Sequence, residues 1–478
     1  MSLTIFQIIY NGVAAVPPNN VNRTLDMLVT KDKTFYRTIV TLAIPMVLQN
    51  LITYSVGLAD NIMIGALGDS AVSGVYMAGQ IQTVLQVISG GIEGAILLLS
   101  SQYWGKKDRE SICRIVSIGI WCSAITGIIF SFISALFPRT VLSVFTNETA
   151  VIESGMEYLS AMCYSYVFFC ITQALIASMR SVEAAGIGLF VSFCSLCIDV
   201  LLNYILIFGK FGFPAMGIKG AAIATLAARI CETVIMFIYV RHIDRKLRFR
   251  PKMLFKIDTV FLHDFFRYGL PIIAGQLVWG ANLAGSSMIV GHFYGESVIT
   301  AVSLSGTVNN LMYVCMNGLS GAVGIVIGKT VGTGELSKIR EYSRTVQIIF
   351  VILGLLTSLL FAVICNPFIG LYSITAEAAE FSRQLIHVLC FTCIGTCYEC
   401  GCLFGLVKSG GDVSFVFIND MIFVFLVVLP SAYIAASLGL QPWIVFLCLK
   451  SDQILKCMVA FFKIRKYNWM KNLTHGAD

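Results

Sequence analysis

The residues able to do chemistry in this sequence are ionisable side chains set inside apolar runs. Asp60 lies fifteen residues beyond Pro45 within one such run. At the 1.5 Å rise of a helix it stands about 22 Å from that proline. A carboxylate at that depth can hold a proton or, with neighbouring oxygens, a sodium ion. The alternative is a solvated aspartate near a helix end. Asp199 and Asn203 are four apart, so their side chains share a helical face. A carboxylate and an amide oxygen side by side suit a hard cation or a proton. The alternative is a helix–helix hydrogen bond that only holds a bundle together. Glu93 sits among Gly90, Gly91 and Gly94, which allow helices to approach closely around a charge. It reads as a cavity acid or as the partner of a buried cation.

A second group reads as a charge network. Arg229 and Glu232 are three apart and can pair. Lys450, Asp452 and Lys456 fall at a similar depth near the end of the chain. Either these are structural ion pairs, or they form a network that rearranges as helices move. Glu399, Asp420, Gln276 and Asn282 complete the interior polar set. Cys390, Cys393, Cys397 and Cys400 form one helical stripe. Four thiols along a straight helix span too much length to converge on zinc, so small packing residues are expected and no metal site. The other cysteines lie mostly in apolar runs, and no disulfide framework is expected. Aromatic residues such as Tyr76, Trp279 and Tyr313 could line a cation–π cavity but equally read as core or lipid contacts. The cavity is expected to be apolar with a few acids, which suits lipophilic cations.

The elements that must carry these residues are membrane helices. Of 478 residues, 57% are hydrophobic and only 12% charged, against about 25% charged in a soluble domain. Too little charge is present to cover a water-facing surface, so lipid is the solvent for much of the chain. Twelve apolar runs are long enough to span: 42–65, 73–100, 115–137, 155–179, 187–209, 219–240, 266–290, 298–328, 345–366, 383–407, 414–436 and 442–462. The second and eighth are long enough to tilt or project. Basic residues follow the even-numbered second (Lys106, Lys107, Arg109), sixth (Arg241, Arg245, Lys246), eighth (Lys329, Lys338) and twelfth (Lys463, Arg465, Lys466). By the positive-inside rule, both termini and the long central loop face the cytoplasm. The net charge of +7 is therefore a topology signal, and no nucleic-acid partner is expected. The expected division is a cytoplasmic segment 1–41, a six-helix lobe 42–240, a basic linker 241–265, a second lobe 266–462 and a tail 463–478. Residues 1–26 read as a start-site extension, with Met27 the expected initiator ahead of Lys31 and Lys33.

The two lobes repeat each other. Pro45 is echoed by Pro271, about 226 residues later. Met63-Ile64-Gly65 is echoed by Met288-Ile289-Val290-Gly291, Gly91 to Ala95 by Gly318 to Ala322, and Gly105 by Gly332. Six spans per half preserve direction, so the halves should be related by an axis along the membrane normal, with a cavity between them. The acids are not repeated. Asp60 faces Gly285 or Ser286 in the second copy, and Glu93 faces Ser320. Ion coupling is therefore expected in the first lobe. The seventh span supplies Gln276, Trp279 and Asn282 but no acid.

Several blocks resemble the multidrug and toxic compound extrusion (MATE) family: Pro45-Met46-Val47-Leu48-Gln49-Asn50, Asp60 to Gly68, Ser101-Gln102-Tyr103-Trp104-Gly105, Leu201 to Gly209 running on through Gly212 to Ala222, and Lys408-Ser409-Gly410-Gly411-Asp412. The resemblance covers roughly residues 35–470. It implies an all-α polytopic membrane protein, V-shaped, with two six-helix lobes and alternating access. It further implies export of amphiphilic organic cations or drugs in exchange for protons or sodium. Asp60 matches the family's coupling aspartate, and Asp199 with Asn203 its carboxylate–amide pair, here with the aspartate first. The alternative within the same broader superfamily is a lipid-linked oligosaccharide flippase. That would want a cationic cavity and further spans, against the acidic inventory here. The sequence contains no phosphate-binding loop and no catalytic triad. An enzyme is not expected, nor a cofactor beyond the coupling ion. The expected partners are small amphiphilic molecules and lipid, the expected state a monomer, and the expected location a bacterial inner membrane.

Overall fold

The computed structural model describes residues 29–475 except 250, 371 and 373. The expectation about Met27 and residues 1–26 falls outside them. Among the described residues the regular structure is helical throughout, with no strand. In lipid this is the simplest way to satisfy every backbone N–H and C=O within one segment.

The first three spans are Lys33–Gly65, Asp69–Gly105 and Arg109–Leu136. Their repeats, the seventh to ninth, are Thr259–Phe293, Glu296–Thr333 and Leu336–Ile369. The fifth and sixth are Gly186–Phe208 and Gly217–Ile238. Starts are set locally. The carboxylates of Asp32, Asp108 and Asp258 accept from the backbone N–H groups of Thr34, Ser111 and Val260, each N-cap stabilising its helix by about 1 kcal/mol. The fifth span ends at Gly209, with φ +67°, and the eighth at Gly334, with φ +77°, a left-handed backbone that glycine adopts without strain.

Several boundaries differ from the sequence expectation. The first span begins at Lys33, so its first turns lie within the segment expected to be a cytoplasmic lead-in. The sixth runs on through a π turn to Ile243 and the seventh starts at Thr259, which shortens the linker. Loop charge repels the bilayer but not helical geometry, so these helices continue past the lipid. The fourth span is not one straight helix over 155–179. It is Thr149–Met162 and Ser165–Ser181, bent by 55°. The twelfth is also in two pieces, Pro442–Leu449 and Asp452–Lys466, parted at Lys450 and Ser451. The tenth is Ala376–Glu399 continued by a π segment Cys400–Lys408. The eleventh is Val413–Ile422, a π segment Phe423–Val428 and Leu429–Ser437.

Apolar packing shows how the lobes meet. One cluster, with Ile64, Leu85, Tyr158 and Ala222, lies wholly in the first lobe. Another, with Ile289, Val298, Val428 and Val445, lies wholly in the second. Two others straddle the lobes at the end that carries Lys106 and Lys329. One joins Phe35, Leu42 and Met46 to Val323, Val346 and Phe350. The other joins Ile96, Leu99 and Tyr103 to Phe261, Phe265 and Ile272. There the backbones touch. A Cβ on Gly105 would collide with the Lys329 carbonyl, and one on Gly332 with the Gln102 carbonyl. At the far end, Gly57, Gly65, Gly280 and Gly291 have nothing within 4 Å of where a Cβ would stand. The lobes thus form a V, closed at the basic end and open at the other.

Candidate functional site

In the first lobe the first and fifth spans pack together and bring Asp60, Asp199 and Asn203 into one group. The amide Nδ2 of Asn203 donates to Oδ1 of Asp60 at 2.7 Å and to Oδ2 of Asp199 at 3.2 Å. Asp199 and Asn203 are each 1% exposed. Oδ1 of Asp199 and Oδ1 of Asn203 are buried without a hydrogen-bond partner. Two carboxyl groups joined through one amide repel each other when both are ionised. Arg229 is their charged neighbour, and a proton or bound cation between them relieves what repulsion remains. The free oxygens leave acceptors for it.

Asp199 also lines a cavity of about 40 Å³ with Gln49, Gln173, Ser192, Thr225, Arg229 and Glu232. That is room for one or two waters. Arg229 donates to Glu232 at 2.8 Å and stacks over Phe169, its guanidinium carbon 5.1 Å from the ring centroid. The pair expected from sequence is therefore formed, and it borders the same cavity as Asp199.

Glu93 lies apart, toward the floor of the V. It accepts weakly from Ser89 at 3.4 Å, with Arg180 and Lys408 as its charged neighbours. Arg180 donates to Gln49 at 2.7 Å. Lys408 reaches across from the second lobe, its Nζ 3.4 Å from where a Gly94 Cβ would be. Gln276 also approaches the first lobe, its Nε2 3.2 Å from the Cβ position of Gly90. The oxygen of Asn282 is buried without a partner. Arg180 and Lys408 fall at the ends of apolar runs in the sequence, where their spacing carries no signal that would mark them as site residues.

The second lobe holds a different cluster. Glu399, Asp420 and Asp452 surround the ammonium of Lys456, at 3.2, 2.8 and 3.1 Å. Lys456 is 4% exposed. Lys450, expected in the same network, has Asp452 as its charged neighbour and lies over Phe446, 5.8 Å from the ring centroid. Lys456, a full turn past Asp452, takes the centre of the three acids. Where the first lobe has Asp60, Gly285 admits the side chain of Leu429. Where it has Glu93, Ser320 donates to the Cys400 carbonyl at 2.7 Å. The cysteine stripe is buried in the core of this lobe.

Paired bundles that meet at one end, with interior acids and, among the described residues, no loop large enough for a soluble domain, define a membrane carrier built of two like halves. The MatE family profile matches the chain twice, over residues 45–205 and 271–434, the same step that separates Pro45 from Pro271. The chain belongs to the MATE family of transporters. Its relatives include the probable multidrug resistance protein NorM of Rhizobium meliloti, 25% identical over 362 residues, 74% of this chain and 77% of that one. The multidrug resistance protein NorM of Photobacterium profundum is 23% identical, covering 86% and 89%. Among solved structures, the Vibrio cholerae MATE transporter VcmN in its bent form superposes with a TM-score of 0.82 at 17% identity, covering 91% of this chain and 97% of that one. The protein is an integral membrane transporter and not an enzyme.

Proposed function

We propose that this transporter exports amphiphilic organic cations or drugs in exchange for an inward-moving proton or sodium ion, with coupling at Asp60, Asp199 and Asn203. The observation that carries the reading is the single amide of Asn203 shared by two carboxyl groups, beside buried oxygens that have no partner. One bound cation or proton satisfies the group, and its departure leaves like charges face to face. That difference can bias the lobe between two arrangements. The relatives named for multidrug resistance support the substrate class. In the second lobe Lys456 already occupies its acids, which favours the first lobe as the coupling site. By loop charge the closed end of the V is cytoplasmic, so the cleft opens outward, the arrangement from which substrate is released. The tail then also lies in the cytoplasm, and a monomer suffices for the cycle.

The test is efflux of a fluorescent organic cation from proteoliposomes under an imposed pH or sodium gradient. A proton exchanged under a one-unit pH gradient supplies about 1.4 kcal/mol and sustains about a tenfold substrate ratio. The variants Asp60→Asn and Asp199→Asn should keep equilibrium binding of the cation but lose gradient-driven accumulation. A double variant that accumulates substrate as well as the parent removes these residues from the mechanism.

A further inference from the structure

Residues 467–475 do not hang free. They thread into the seam where the two lobes touch. Trp469, 0% exposed, anchors the segment on the second lobe, packed so closely on Gly410 that a Cβ there would strike the indole. Its indole N–H donates to the Ile464 carbonyl at 3.3 Å. The backbone N–H of Lys471 donates to the Gly410 carbonyl at 2.7 Å. The Lys471 ammonium meets Asp412 at 2.7 Å, and Lys463 meets the other Asp412 oxygen at 2.6 Å. Gly411, at φ +104°, makes room for the Lys471 backbone. These contacts are all within the second lobe.

The next residues cross to the first lobe. Gln102, fully buried near the end of the second span, uses both ends of its amide on the segment. Its Oε1 accepts from the backbone N–H of Leu473 at 2.8 Å, and its Nε2 donates to the Lys471 carbonyl at 3.3 Å. Tyr103 accepts from the backbone N–H of His475 at 3.0 Å, and Lys106 donates to the His475 carbonyl at 3.2 Å. The His475 ring returns to the second lobe, its Nε2 2.5 Å from Oδ2 of Asp264. Leu473, 7% exposed, joins the apolar cluster that straddles the lobes.

We propose that the seam at the basic end is a binding site for the chain's own residues 467–475, and that this segment is a latch holding that end shut. The Trp469 and Asp412 contacts fix it to the second lobe, so it travels with that lobe. The contacts with Gln102, Tyr103 and Lys106 are the ones that must break when the lobes part there. Opening strips Gln102 of its partners together, so the contacts are lost in one step rather than one at a time. The latch therefore weights the equilibrium toward the arrangement seen here. It rests on alternating access as proposed above, but not on the identity of the substrate or the coupling ion.

The test is hydrogen–deuterium exchange of the full-length protein in detergent, with no substrate and no gradient. Two variants are compared with the parent: a chain ending at Met470, which keeps Trp469, and Gln102→Leu, which keeps the whole segment. Segments 98–107 and 325–335 report the seam, and segments 55–65 and 280–291 the open end. In both variants the seam segments should exchange at least about tenfold faster, the consequence of removing several hydrogen bonds from one closed state, while the open end is unchanged. Unchanged seam protection in both variants overturns the latch. Faster exchange in all four segments overturns it too, by making the segment a folding element. Because nothing is transported in the measurement, failure to export organic cations would leave its outcome intact.

Discussion

Replacing Lys456 by methionine should destabilise the second lobe severely, whereas replacing Lys450, six positions earlier, should not. The Lys456 ammonium lies within 3.2 Å of three carboxylates and is almost wholly buried. Methionine fills much of the same volume but leaves three acids facing one another without a cation. Removing one partner of a buried ion pair costs about 3–5 kcal/mol. Lys450 lies over an aromatic ring, 5.8 Å away, with Asp452 as a more distant charged neighbour, contacts worth about 1 kcal/mol. Thermal unfolding of the purified variants in detergent measures the contrast. Lys456→Met should lower the apparent melting temperature by roughly 5–10 °C and Lys450→Met by no more than about 2 °C. Adding Asp452→Asn to Lys456→Met should recover part of the loss, because it removes one uncompensated charge. At a temperature where Lys456→Met stays folded, gradient-driven efflux should survive if coupling resides at Asp60, Asp199 and Asn203, as proposed above. Equal melting temperatures for the two lysine variants would refute the assignment of the cation. Abolished coupling in folded Lys456→Met protein would refute the division of labour between the lobes.

Further outcomes follow from the same geometry. Asn203→Ala removes two charge-assisted hydrogen bonds from the first lobe, each worth about 1.5–3 kcal/mol, and should lower thermal stability and coupled efflux together, with Asn203→Gln restoring neither in full. Gly332→Val sets a side chain against the Gln102 carbonyl and should cost at least about 1–3 kcal/mol and expose the seam to exchange, while Gly57→Ala, in open space, should be silent in the same assay. Glu183→Gln breaks the cross-lobe pair with Lys329 at 2.6 Å, but that pair is partly solvated and its loss should shift the melting temperature by no more than the equivalent of about 1 kcal/mol. Burial raises the Asp412 carboxyl, but hydrogen bonds from Lys463 and Lys471 outweigh it and hold the group below its ordinary value of 3.8. Its contribution to the seam is therefore fully present above about pH 4 and lost as the pH falls through the lowered value. In a His475→Ala variant, which removes the other ionisable contact of the segment, proteolysis of 467–475 at matched protease activity should not vary from pH 8 to pH 5 and should rise only in stronger acid.

Much of this architecture is legible along the chain, because partition into lipid and helical periodicity are local properties. Apolar run length and loop charge suffice for the two six-span halves, and the step from Pro45 to Pro271 recurs in the two stretches matched by the family profile. The face shared by Asp199 and Asn203 follows from a spacing of four on any helix, and so does the reach of Arg229 to Glu232. Even the asymmetry of the acids can be read, since Gly285 and Ser320 stand where the first half has Asp60 and Glu93.

Tertiary structure alone decides which distant groups meet. Asn203 bonds Asp60 across 143 positions of sequence, and Gln102 bonds Leu473 across 371. Such pairs depend on how each helix is rotated against its neighbours and on where helices bend, which no window of sequence contains. The same cause put the Lys456 ammonium at the centre of three acids drawn from three different spans. It also left the lobes touching at the basic end and apart at the other. Hydropathy assigns a residue to the membrane, but only packing turns that residue toward a partner.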